Sequence, residues 1–299
     1  MRMTVLVGCS GWSYDDWVGR FYPVDLANRK GDWFGYYANY FHTAEINSTF
    51  YRPPNEFMVR AWIKKVKGLD FEYSVKMPQL VTHESMVKGE MARAVEQAAS
   101  FERMCARPLQ EADVMGAVLL QLSPYFKNEP QSLEMLSKVL DAVDRDLIDY
   151  AVELRHRSWL DESGREVDGA ALEVLRERNV ANVLIDGPGF PVTREETADH
   201  CYVRFHGRNY DIWYREEKED DPRINRYDYL YNKEQLEHWV PRIQEAEKKV
   251  QQVRVFFNNH GRGKSVKNGF ELMDLLDIEH RSKDILLQDQ YTLGNFQSG

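Results

Sequence analysis

Cysteine is scarce in this chain, with only Cys9, Cys105 and Cys201 among 299 residues. They are scattered, so neither a disulfide framework nor a Cys-x-x-Cys metal site is expected. Long apolar runs are missing too, and with them any segment able to span a bilayer. The apolar stretch before Gly8 is too short for a signal-peptide core. A reduced, cytoplasmic protein with no membrane partner is the expectation. Positive charge is also in deficit: 39 Lys and Arg stand against 48 Asp and Glu, a formal net charge of -9. That balance speaks against a generally basic nucleic-acid surface, while leaving a local basic cleft open. No Gly-x-Gly-x-x-Gly follows the first strand, which removes support for a dinucleotide fold. No HxH or HExxH spacing occurs, and "GCSG" around Cys9 is not a nucleophile elbow.

What is present is a globular composition, 43% hydrophobic and 29% charged, enough to bury a large core. Short β-branched or aromatic runs recur at Thr4–Val7, Thr43–Asn47, Phe71–Lys76, Gly116–Leu122, Tyr150–Arg155, Ala181–Asp186, Cys201–His206 and Val253–Asn258. Helix-spaced segments separate most of them. One begins behind the potential N-cap Asn55 and places Phe57, Ala61 and Ile63 among its buried positions. Another contains Pro241, which kinks a helix unless it falls near a start. "GPGFPVTREETADH" has no helix-like spacing, which points to a reduced crossover between strands six and seven. Eight strands alternating with helices suggest an α/β fold with a parallel sheet, and eight closes a (β/α)8 TIM-type barrel. An open doubly wound sheet is the alternative. With no repeat or linker, one domain over residues 1–280 is expected, followed by a polar extension over 281–299.

Polar side chains collect at the strand ends. Glu45 and Asn47, Lys76, Gln121, Glu153 and Arg155, Asp186, Arg204 and His206, then Asn258 and His260 all sit there. Side chains on a strand alternate faces. Glu45 shares a face with Asn47, Glu153 with Arg155, and Tyr202 and Arg204 with His206; Ala44, Val152, Val203 and Phe205 take the other. In a barrel the apolar face meets the helices. The charged set is then forced inward, at the C-terminal mouth where barrel enzymes keep their sites.

These residues carry a resemblance. "GCSGWSYDDWVGRFYP", "TAEINSTFYRPP", "FEYSVKMPQLVTH", "GAVLLQLSPYF", "AVELRHRSW", "YVRFHGRNY" and "FFNNHGRGKSVKNG" are similar to the YecE-like family, also called domain of unknown function seventy-two. The match runs from about Val5 to Leu276. It implies a TIM-type barrel and no established reaction. Many members have Pro-Pro after "LQL"; here Ser123 and Pro124 follow.

For chemistry, Lys76, Arg155, Arg204, Arg208 and Arg262 would converge in a barrel, and Arg suits carboxylate or phosphate oxygens. The "HGR" of the seventh strand is echoed before "GRGKS", in loops where barrels often hold phosphate, with a helix starting near Ser265. Glu153 and His206 are the expected reactive pair, with Glu45 and Asp186 as further acid–base candidates. Lys76, Gln121, Arg155, Arg204, Arg208, Asn47, Asn258, His260, Arg262, Tyr51 and Trp12 are the expected substrate-binding set. A divalent metal between the strand-end carboxylates Glu45, Glu153 and Asp186 is the less favoured alternative, since cations compete for the same groups. Aromatics including Trp12, Tyr14, Tyr51, Trp159, Trp213 and Tyr214 crowd the same rim, and the charged stretch Asp211–Tyr231 is a candidate lid. Three readings follow: acid–base or hydrolytic chemistry on a small anionic substrate, of hydrolase or lyase/isomerase rather than oxidoreductase type; binding or cleavage of nucleic acid; and non-catalytic ligand sensing.

Overall fold

The computed structural model describes residues 4–193, 195–211 and 226–287. Its strands are β1 (Val5–Ser10), β2 (Thr43–Ile46), β3 (Glu72–Lys76), β4 (Met115–Gln121), β5 (Asp149–Glu153), β6 (Ala181–Asn182), β7 (Leu184–Asp186), β8 (His200–Phe205) and β9 (Gln252–Phe257). All pair in parallel, in the order β6-β5-β4-β3-β2-β1-β9-β8-β7. β6 and β7 are halves of one strand, interrupted only at Val183, whose N–H donates to the Val152 carbonyl at 3.0 Å. The two ends of the order therefore meet, and eight strands come round as a (β/α)8 barrel.

The crossover from β7 to β8 has no helix among its described residues. Two threonines in it serve the strand edge instead. Thr197 Oγ1 accepts from the Asn182 N–H at 2.7 Å, and Asn182 Nδ2 donates to Thr193 Oγ1 at 3.2 Å. The buried polar groups at the strand break are thereby paired, as they must be.

The first strand is longer than its sequence suggests and continues through Gly8 to Ser10. Gly8 permits this because a Cβ there would lie 2.4 Å from the Thr43 carbonyl oxygen. Close approach of two backbones is a usual reason for glycine inside a strand. Gly8→Ala should destabilise by about 2 kcal/mol through overpacking, read as a lower midpoint in urea with an unchanged slope.

Helices coat the outside, among them α1 (Lys30–Tyr37), the short α2 (Ser48–Tyr51), α3 (Glu56–Val66), α4 (Met91–Phe101), α5 (Arg107–Glu111), α6 (Pro130–Asp141) and α7 (Gly169–Arg176). α3 starts at Asn55, whose side chain accepts from Met58 N–H. Its buried stripe is Val59, Trp62 and Val66, while Phe57 is 79% exposed and Ala61 faces solvent. The buried stripe differs from the expected one; the i, i+3, i+7 set from Val59 carries the larger apolar mass. Pro241 sits in the first turn of α9 (Val240–Glu247), separated from α8 (Lys233–Glu237) by a break. The helix expected there is thus two, because proline is accommodated only at a start. Beyond α10 (Lys264–Leu275) the polar extension remains attached as far as it is described. Lys283 Nζ donates to the Phe21 carbonyl at 2.9 Å, and Ile285 is buried. No helix among the described residues is long and apolar enough to cross a membrane.

Candidate active site

Register puts Ser10 beside Glu45, Glu45 beside Ser74 and Gln121 beside Glu153, so these side chains share the inner face. Arg204 reaches across from β8. Its Nη2 donates to Glu45 Oε1 at 2.6 Å and its Nη1 to Glu153 Oε2 at 2.6 Å. Nη1 also donates to Gln121 Oε1 at 3.0 Å. Tyr202 Oη donates to the second Glu45 oxygen at 2.8 Å, and Arg155 Nη1 to Glu153 Oε1 at 2.8 Å. The hydrogen-bonded residues come from four strands or their ends, β2, β4, β5 and β8, and are largely buried, with Arg204, Glu45 and Glu153 almost wholly so. Buried charges are costly unless paired and hydrogen-bonded; both carboxylates here are, while the Arg204 Nε is left without a partner.

The electrostatics follow from that pairing. Burial alone would raise the Glu153 carboxyl, but Arg204, with His206 and Arg155 beside it, holds it well below the usual carboxylate range. Burial, only partly opposed by Glu153, brings the His206 imidazole down to about 4. The Asn258 amide lies 3.1 Å from Nδ1, and Glu153 Oε2 lies 3.3 Å from Nε2. With the amide nitrogen donating to Nδ1, the proton of the neutral ring sits on Nε2 and points at Glu153.

Lys76 differs from Arg155 and Arg204, the other cations of this cluster among the described residues. Its side chain lies inside the barrel beyond β3, and the residue is only 8% exposed. Its Nζ makes no hydrogen bond or ion pair with any described residue. It stands 3.9 Å from the centroid of the Phe50 ring. Burial, reinforced by Arg204 and opposed by Glu153 and Glu45, lowers the ammonium from 10.5 to about 7. Its backbone is held by Thr49 on α2 (Ser48–Tyr51), whose Oγ1 accepts from the Lys76 N–H at 3.1 Å and donates to the Lys76 carbonyl at 2.7 Å.

Other expected site residues lie elsewhere. Asp186 is in register with the outward Phe205 and faces the helices. It accepts from Arg208 Nε at 2.7 Å, Tyr231 Oη at 2.9 Å and Trp239 Nε1 at 2.7 Å. Arg208 is therefore committed to a structural carboxylate. Asp186→Ala should cost about 2 kcal/mol, because it leaves a buried indole N–H and a phenol unpaired; urea denaturation would report it. The "GRGKS" loop carries its own anion. Asp228 Oδ2 accepts from Arg262 Nη2 at 2.6 Å, and Asp228 Oδ1 lies 2.8 Å from Lys264 Nζ. The expected grouping of Arg208 with Arg262 is thus not formed: each is paired to a different aspartate. His260 stacks on Tyr14 at 4.3 Å rather than joining the Arg204 network. Trp12 packs edge-on against Phe34 at 5.1 Å, within the outer core, and Tyr51 is 73% exposed. Asn47 remains beside the mouth with its Oδ1 buried and unpartnered. Trp213, Tyr214 and most of the candidate lid lie outside the described residues. The metal grouping of Glu45, Glu153 and Asp186 is not assembled, since Arg204 bridges the first two and Asp186 faces away.

Two features escaped the sequence reading. Ser10 Oγ is buried among these groups with no partner. Lower in the barrel Arg254 pairs with Glu72 at 2.6 Å and Asp149 at 2.7 Å. The alternation of "QVRVFF" was the available signal, since it places Arg254 on the inner face with Phe256.

Fold and site define a parallel (β/α)8 barrel protein with a charged cluster at the C-terminal mouth. The chain belongs to the family described as "Protein of unknown function DUF72", which matches residues 6–291. That bears out the resemblance read from the motifs. The UPF0759 protein YunF of Bacillus subtilis (strain 168) is 26% identical over 283 residues, covering 92% of this chain and 96% of the relative. The crystal structure of a DUF72 family protein from Thermotoga maritima MSB8 superposes with a TM-score of 0.78 at 32% identity, covering 92% of this chain and 100% of that one. A DUF72 family protein from Enterococcus faecalis V583, 22% identical, shares the fold with a TM-score of 0.75 over 94% of this chain and 99% of that one.

Proposed function

We propose that the mouth is the active site of an enzyme performing acid–base chemistry on a small anionic substrate. One observation carries the reading: among the described residues the cluster sets three cations, Lys76, Arg155 and Arg204, against two carboxylates, Glu45 and Glu153. Lys76 is the group left over. Arg155 is the partly open cation, its side chain 21% exposed while Glu153 and Arg204 below it are closed off. A carboxylate or phosphate entering the mouth meets the outer edge of that guanidinium, whose planar fork suits such oxygens. Lys76 then stands beside the bound molecule with a proton that is exchangeable near neutrality, as a general acid or base requires. Glu153, itself contacted by His206, holds Arg204 and Arg155 in place.

Titration calorimetry with inorganic phosphate, malonate and a sugar phosphate at low salt tests this. Binding should occur, and Arg155→Ala should weaken it about tenfold, the cost of one charge-assisted contact. Affinity should fall as pH rises through 7, because Lys76 loses its positive charge there. No binding of any small anion, or preference for single-stranded DNA or RNA with a steep salt dependence, would overturn the reading.

A further inference from the structure

We propose that Lys76 is a covalent catalyst, an amine that condenses with the carbonyl carbon of an anionic aldehyde or ketone to form an enzyme-bound imine. This deepens the reading above and rests on it. Position comes first. Lys76 ends a barrel strand inside the mouth, and Thr49 fixes its backbone from both sides. Arg155, just beyond β5 and two strands round the barrel from β3, supplies a fork for the substrate's carboxylate or phosphate.

Availability comes second. A buried lysine serving only stability would be expected to sit in an ion pair. Among the described residues two carboxylates lie in this cluster, and neither takes it. Glu45 is occupied by Arg204 and Tyr202, and Glu153 by Arg204, Arg155 and His206. Nζ stands instead over the face of Phe50, 3.9 Å from the ring centroid. Desolvation beside other cations is an arrangement that activates an amine nucleophile. The charged and titratable groups around it are Arg204, Arg155 and His83, and against them Glu153 and Glu45. Their sum leaves a large share of neutral amine at neutral pH, consistent with the geometry.

The step balances within substrate and enzyme. The Nζ lone pair bonds to the carbonyl carbon, and the carbonyl π pair moves to oxygen. A nitrogen proton passes to that oxygen, giving a carbinolamine. Its hydroxyl leaves as water with the remaining nitrogen proton, and a C=N bond forms. Water reverses the sequence to release the product. The imine withdraws electrons from the adjacent carbon, so bond breaking there needs neither oxidant nor reductant. Aldolase-, lyase- or isomerase-type chemistry on an anionic carbonyl compound is the class this supports.

The probe is glyoxylate with sodium cyanoborohydride, applied to the full chain, with the adduct mapped by peptide mass spectrometry. A single carboxymethyl adduct on Lys76 is expected, formed ahead of the exposed lysines. Its rate should level off just above neutrality and fall about tenfold per pH unit below. Lys76→Met should abolish it. Arg155→Ala, which keeps the amine, should slow it, and that slowing reports anion anchoring without touching the nucleophile. Adducts spread over surface lysines with Lys76 unmodified would overturn the proposal. If inorganic phosphate still binds in calorimetry, the anion reading stands and the imine falls; if phosphate also fails to bind, both fall.

Discussion

Arg204→Met is expected to lower stability by about 4 kcal/mol, in the range found when one partner of a buried ion pair is removed. Arg204 is the common partner of Glu45 and Glu153, at 2.6 Å each. Its loss leaves two carboxylates inside the barrel with Tyr202, Arg155 and His206 as their remaining partners. The pH dependence distinguishes this from loss of packing. In the native chain Glu153 titrates below its usual value, so its contribution is present above the carboxylate range and is lost as pH falls through it. Without Arg204 the burial of Glu153 is no longer offset, and protonation relieves the variant. The gap between native and variant urea midpoints should therefore narrow as pH drops from 7 towards 4. Glu45→Gln with Glu153→Gln in the Arg204→Met background should recover much of the loss, because neutral amides remove the unpaired charge. A gap independent of pH would show that Arg204 acts through its bulk alone.

Lys76→Met should do the opposite and stabilise the chain by roughly 3 kcal/mol at neutral pH. The ammonium is lowered from 10.5 to about 7 by burial and by Arg204. Each unit of such a shift is worth about 1.4 kcal/mol of folding free energy, and relaxation around the site reduces the sum. The sign is fixed by proton counting. Between pH 7 and 10.5 the unfolded chain binds more protons at this residue than the folded one, so native stability rises with pH in that window. The advantage of methionine, which fills similar space without charge, should be full at pH 7 and below and should vanish as pH approaches 10.5. Thermal melts of both proteins across that range check it. A variant less stable than the native chain at pH 6 would show that the ammonium has a favourable partner. A group that costs stability where it stands is the kind retained for function.

Much of this site was legible before any coordinates. The alternation of "AEIN", "VELR" and "YVRFH" sent Glu45, Glu153, Arg204 and His206 to one face, and the apolar counterparts Ala44, Val152 and Phe205 to the other. Closure of an eight-stranded barrel then required those groups to meet. Asp186 was expected at the mouth only from its place at a strand end, and it faces the helices instead. Its strand breaks at Val183 and its outward register with Phe205 depends on β8, a partner 19 residues on in register. A two-residue segment such as "AN" carries too little periodicity to set a face.

The sequence by itself determined the α/β class, the strand count, the family and the inward face of the charged cluster, because each rests on local periodicity or on contiguous motifs. Only the tertiary structure decided which charges pair. Arg204 chose Glu45 and Glu153, Arg208 chose Asp186, and Arg262 and Lys264 chose Asp228. Hydrogen-bond partners 22 to 159 residues apart are set by ångström-scale geometry across the closed barrel, which no local pattern encodes. That same accounting leaves Lys76 without a carboxylate partner among the described residues, a property that belongs to the arrangement and not to any residue in it.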